Sequence, residues 1–253
     1  MNTNLDFYSE FKNYAINHMG ISGMQFHYWD KMQETLYANV QVSGHATGHA
    51  TGQVSGSMTP YILEERELRV TQMDIFSRMM MDRILWVAGP VNDQMSTVVA
   101  AQLMFLDNHE PDTDITMHVD SPGGSVKSGL SMVDVMNYIG SDVSTINTGM
   151  SASMGSILLG NGEKGKRFSL KHSKVMLHQV SAGMSGNIQD MKISYEESDK
   201  YNTLLFDLLG GYCNKTAKQV MKDASRDLWL TSEEALKYNI IDGIIENKVK
   251  GVK

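Results

Sequence analysis

The sequence predicts an α/β protein: a parallel sheet with helices packed over it. Three observations carry that expectation. Strand-type and helix-type segments alternate from residue 84 onward. Two strand-to-helix junctions are rich in glycine and serine: Asp120-Ser121-Pro122-Gly123-Gly124 and Gly149-Met150-Ser151-Ala152-Ser153-Met154-Gly155. The chain has 253 residues, 42% of them apolar, enough for one full-sized domain with a real core plus appendages.

Taken in order, residues 1–43 read as an N-terminal extension with a weak helical period through Leu5, Tyr8, Phe11 and Ile16. It is a leader, an arm on a neighbour or a loosely held tail. Residues 44–58 are rich in Gly, His, Thr and Ser and repeat Gly-His-Ala-Thr once, which marks a flexible linker. His45 and His49 stand four apart, but glycine at that density opposes the helix that would let them share a metal. A folded domain is expected over residues 59–250. It opens on the charged stretch Glu64 to Arg69 and a helix beginning near Asp74. Ile84–Ala88 is a buried-type strand, and Asp93 to Leu106 has apolar residues at helical spacing. A strand at Ile115–Val119 and a helix from Gly124 to Ile139 follow. The next strand is at 142–148, with a short apolar helix after Ser153. Arg167–Leu170 and Val175–Gln179 are extended, as is Gly-rich Ser181–Gly186. Asn187 to Tyr212 carries apolar residues at steps of three and four, a single helix of about 39 Å. A helix that long projects beyond a modest domain and presents a stripe to a partner. Thr231 with Glu234 forms a capping box, and Ile240–Ile245 closes with a strand.

Composition narrows the function classes. A net charge of -7 argues against a nucleic-acid binder. The single cysteine, Cys213, permits neither an intrachain disulfide nor a cysteine metal cluster, which suits a reducing compartment. The first residues lack the basic start and apolar run of a secretory signal, and no apolar run approaches the ~20 residues of a membrane helix. A cytoplasmic protein without a metal or other cofactor is expected.

In α/β proteins the loops at the carboxyl ends of strands carry the chemistry. Ser153 stands at such a junction, where a hydroxyl lies beside the free N–H groups of a helix start. The Ser121–Gly124 turn can also aim backbone N–H groups at a ligand, but has neither the Gly-Lys-Ser/Thr ending of a phosphate loop nor a G-x-G-x-x-G pattern. An oxyanion site fits it better. His178 ends an apolar strand and can act as a base, while Asp227 precedes an apolar run. Asp227 reads either as a buried carboxylate or as a solvated turn residue paired with Arg226. A serine nucleophile needs a base, and the base an orienting carboxylate. Spacing alone does not bring these three together, and their chain order differs from the three familiar serine-hydrolase orders.

These stretches resemble the ClpP family, the proteolytic subunit of the ATP-dependent Clp protease. The resemblance covers about Thr59 to Glu246. It rests on Asp74-Ile75-Phe76-Ser77-Arg78, Ser121-Pro122-Gly123-Gly124, Ala152-Ser153-Met154-Gly155, Gly165-Lys166-Arg167-Phe168, Val175-Met176-Leu177-His178-Gln179 and Arg226-Asp227. It implies a ClpP/crotonase-like fold of repeated ββα units with a projecting helical handle at about 181–213. It implies a serine endopeptidase with Ser153 as nucleophile, His178 as general base and Asp227 as its orienter. The backbone N–H groups of Gly124 and Met154 become oxyanion donors. It further implies seven-membered rings stacked as a tetradecamer, with Arg226 in ring-to-ring pairing. Unfolded polypeptides are then fed by a hexameric AAA+ unfoldase of the ClpX or ClpA type, which hydrolyses the ATP. The 181–186 segment resembles the strand that pairs with extended substrate.

The chain departs from the family pattern at several positions. Asp120 replaces Asn, Val180 replaces Pro, and Ser225 stands where an acidic residue is usual. Thr116 and His118 occupy positions that are often aromatic in the unfoldase-docking groove. Two other readings stay open: a crotonase-type acyl-CoA hydratase or isomerase, and a catalytically silent ring subunit.

Overall fold

A computed structural model describes residues 61–66 and 69–245, all of which belong to one compact unit spanning residues 59–253. The expected extension (1–43) and linker (44–58), with His45 and His49, lie outside the described residues.

Two strands, β1 (Tyr61–Arg66) and β2 (Arg69–Asp74), form an antiparallel pair in which Tyr61 faces Asp74. Of the charged stretch, residues 64–66 and 69 are therefore strand, which the run of charges did not announce. Asp74 then caps helix α1 (Ile75–Met81) by accepting from the Phe76 and Ser77 N–H groups.

The main sheet alternates with helices as expected. Strand β3 (Ile84–Ala88) leads to α2 (Asp93–His109), and β4 (Ile115–Ser121) to α3 (Val126–Tyr138). Strand β5 (Val143–Ala152) leads to α4 (Met154–Gly160). Strands β6 (Arg167–Leu170) and β7 (Lys174–Leu177) precede the long α5 (Ile188–Tyr212). The domain closes with α6 (Ala217–Asp223), β8 (Leu228–Thr231), α7 (Ser232–Tyr238) and β9 (Gly243–Ile245). The capping box at Thr231 and Glu234 is formed.

Strands β3, β4, β5, β6 and β9 lie side by side in that order and run parallel. Strand β5 is longer than the sequence suggested, and its two halves have different neighbours. Thr145–Asn147 pair with β6, whereas Met150–Ala152 pair with β7, which is antiparallel to β8. The strands alternate buried and part-exposed residues, so one face is packed and the other is half open. On the packed face Leu85, Val87, Met117 and Val119 join a core with Val99, Leu103 and Leu106 of α2, Met132 and Val133 of α3, and Ile157 and Leu158 of α4. On the other face the directly paired Trp86 and His118 stack with ring centroids 4.6 Å apart, and burial pushes the imidazole below its usual pKa.

Helix α5 changes character along its length. Ile188 is 81% exposed and Ile193, Tyr195 and Leu204 are exposed too, whereas Phe206 and Leu209 are buried in the core. The N-terminal part thus projects. Burial of Phe206 alone contributes about 1.5–3 kcal/mol towards fixing the other end.

Candidate active site

The site forms where β5 ends. Ser151 and Ala152 are buried, and Ser153 turns the chain with φ 53 and ψ -121. A positive φ is costly for a non-glycine residue, and here the surroundings enforce it. The Ser153 N–H donates to Met176 O at 2.9 Å, extending the ladder with β7, and its carbonyl accepts from Ser156 Oγ at 2.6 Å. All seven residues of α4 are buried behind it. The Ser153 hydroxyl makes no capping bond, which leaves Oγ free to face the adjoining cavity.

The second glycine turn closes onto the first. Ser121 Oγ donates to Gly89 O at 2.7 Å and accepts from Gly123 N at 3.1 Å, which ties down the turn. Gly123 lies so close to Ser153 that a Cβ there would stand 2.6 Å from Ser153 Cβ and 2.8 Å from Met154 N. Gly124 has φ +149, and a Cβ on it would overlap the Val91 backbone. Val91 N bonds Gly123 O and Ser125 N bonds Val91 O, but the Gly124 N–H meets no acceptor among the described residues. Met154 is the first residue of α4, so its N–H has no intrahelical acceptor either. Gly124, Ser153, Met154 and His178 all line one cavity.

Strand register explains how distant residues meet. In the parallel β5–β7 pair Ala152 stands beside Met176, so Ser153 neighbours the end of β7. In the antiparallel β7–β8 pair Leu177 stands opposite Leu228, which sets the next residue, His178, against the preceding one, Asp227. His178 Nδ1 is 4.0 Å from Asp227 Oδ1. That is ion-pair range, about 1 Å longer than a hydrogen bond. Among the described residues no hydrogen bond joins Ser153 Oγ to the imidazole. Of the two readings of Asp227 the solvated one is nearer, for its side chain is 63% exposed; among the described residues β8 pairs with β7 alone and forms an edge. Asp227 does not, however, form an ion pair with Arg226. Both are exposed and border a shallow surface pocket with His178 and Gln179.

Sequence reasoning missed the rest of the cavity wall. Asn202, Leu205, Phe206 and Leu209 of α5 line it opposite Ser153, with Val126 and Ile157. The signal was available, since positions 202, 205, 206 and 209 share one helical face. No group of three or more His, Cys, Asp or Glu among the described residues is arranged to hold a metal.

A free serine hydroxyl on a strained turn, an imidazole within the same cavity and two unengaged N–H groups describe the class: a serine peptidase. Comparison with known proteins gives the family. The Clp protease family model matches residues 65–248, so the chain belongs to the Clp protease family. A protein from Porphyromonas gingivalis named ATP-dependent Clp protease proteolytic subunit is 41% identical over 242 residues, 96% of this chain and all of that relative. A protein of the same name from Bacteroides fragilis is 39% identical over 239 residues, 94% of this chain and 99% of its own. One from Streptococcus suis is 45% identical over 196 residues, 76% of this chain and all of its own. The first two matches reach ahead of residue 59, so the N-terminal segment is not peculiar to this chain. The fold is the ClpP one expected from the resemblance, and the crotonase-type alternative is set aside by the family match.

Proposed function

We propose that this chain is the proteolytic subunit of a self-compartmentalised ATP-dependent protease, with Ser153, His178 and Asp227 as its catalytic triad. The observation that carries the reading is the convergence of Ser153, His178, Gly124 and Met154 on one cavity. Ser153 Oγ attacks the scissile carbonyl while His178 Nε2 takes its proton. The carbonyl oxygen gains negative charge, held by the Gly124 and Met154 N–H groups. His178 then protonates the departing amine, and water repeats the sequence on the acyl-enzyme. Asp227 orients the Nδ1 side of the ring once the two approach by about 1 Å. The exposed edge carrying Asp227 and the projecting half of α5 are the parts that a neighbouring subunit would hold.

The assembly is a pair of stacked heptameric rings, with α5 as the handle and Arg226 in ring-to-ring contact. Unfolded chains enter from a AAA+ unfoldase that uses the ATP, and segment 181–186 pairs with their extended backbone. The peptidase domain is 59–250, and the extension and linker before it gate or are removed from the assembled particle. No described helix is long and apolar enough to cross a membrane, and the cytoplasm is the proposed location.

A fluorophosphonate probe tests this on the assembled protein. Labelling confined to Ser153 and lost in His178→Ala is the expected result. A folded, assembled sample that takes up no probe would identify a silent ring subunit instead.

A further inference from the structure

We propose that Asn202 is a positioning residue for His178, acting through the backbone N–H of Val180. This rests on the reading of His178 as the general base. Strand β7 fixes the chain only as far as Leu177, which is buried and paired with Leu228. From His178 to Ser185 the backbone belongs to no helix, strand or turn, and residues 181–186 are exposed. Among the described residues one hydrogen bond holds this stretch near the base: Val180 N–H donates to Asn202 Oδ1 at 3.0 Å.

Asn202 is a firm anchor. It lies on α5 one turn before Phe206, which is buried in the core. His178 therefore sits between two fixed points, Leu177 in the sheet and Val180 on the helix. Removing the acceptor would hand the Val180 N–H to water and free the backbone at 178–180. The imidazole would then spend less time with Nε2 towards Ser153, and small misplacements of a catalytic group are costly. Asn202 also lines the cavity, so a plain wall or substrate-contact role is the competing account. That role would act on KM, whereas positioning acts on kcat.

The test measures Ser153 labelling by the fluorophosphonate, with kcat and KM for a short peptide, on full-length assembled protein. Asn202→Leu keeps the size but loses the acceptor. It should lower the labelling rate and kcat about tenfold, with KM within about twofold. Asn202→Asp keeps an acceptor and should recover most of the rate. Val180→Pro removes the donor, so in that background Asn202→Leu should change the rate by less than about twofold. Should Asn202→Leu fail to assemble, Asn202→Ala, which also removes the acceptor, carries the prediction of a slower rate. The proposal is overturned if Asn202→Leu is labelled at the parental rate, if its loss falls on KM, or if that loss persists undiminished alongside Val180→Pro. Failure of the underlying reading looks different: the parental protein would then be labelled equally with and without His178→Ala.

Discussion

Ser153 and His178 border one cavity, yet its two sides are built in opposite ways. On the nucleophile side every element is interlocked. Ser153 N is bonded into the β7 ladder, α4 is wholly buried behind it, and Gly123 packs against Ser153 too closely to admit a Cβ. On the base side His178 begins an irregular segment, and Asp227 is 63% exposed with its oxygen 4.0 Å from the imidazole. The difference teaches that one chain can build the turn of the proposed nucleophile and its two unengaged N–H groups unaided. The proposed base and its carboxylate are brought near by register but stop short of hydrogen-bond distance. One foundation serves both sides. The buried Arg167 bonds Tyr212 O at the end of α5 at 3.0 Å, approaches Gly160 O at the end of α4 at 3.5 Å, and pairs with Asp242 at 2.6 Å.

Breaking the rigid side should have the largest effect. Gly124→Ala meets both a disallowed φ and the Val91 backbone, so the proposed oxyanion donor must move. Peptide hydrolysis should fall by about 10³, read as kcat. Asp227→Ala tests the loose side. It should lower kcat by about 10². The melting temperature should stay where it was, because the carboxylate is exposed and makes no hydrogen bond among the described residues. A large drop in melting temperature would mean that the base side is as tightly built as the other.

The shared foundation gives the smallest effect, and it depends on pH. Burial alone would raise the Asp242 pKa, but the bonds from Arg167 and the Gly165 N–H outweigh it and hold the carboxyl below its usual range. A depressed folded-state pKa stabilises above the unfolded value of 3.8 and loses that contribution as pH falls through the folded one. Thermal melts should therefore be insensitive to Asp242 ionisation from about pH 7 to 5 and drop below about pH 4. Asp242→Asn should melt lower at neutral pH and show a shallower acid fall. An unchanged acid fall would remove Asp242 from the account.

Much of this was legible in the chain. The rhythm of strands and helices gave the α/β class, and small residues at two strand ends marked the turns that meet around Ser153. The Thr231 box sits where its side-chain chemistry put it. What stayed hidden depends on pairing. The β1–β2 hairpin was masked by its charges, which blur a two-residue period. Nothing local to Asp227 announces that β8 runs antiparallel to β7, and that register is what sets it beside His178. Val180 was visible as a departure from the family's proline, but the partner of its N–H was not.

The central claim is that Ser153 and His178 act on one bound substrate. A peptide chloromethyl ketone reports this most directly, since one inhibitor molecule must engage the serine and alkylate the imidazole together. Peptide mapping of the assembled protein should find one inhibitor per chain on His178, and none when Ser153→Ala is treated alike. Alkylation of a different residue, or of His178 at the same rate without the serine hydroxyl, would contradict the account.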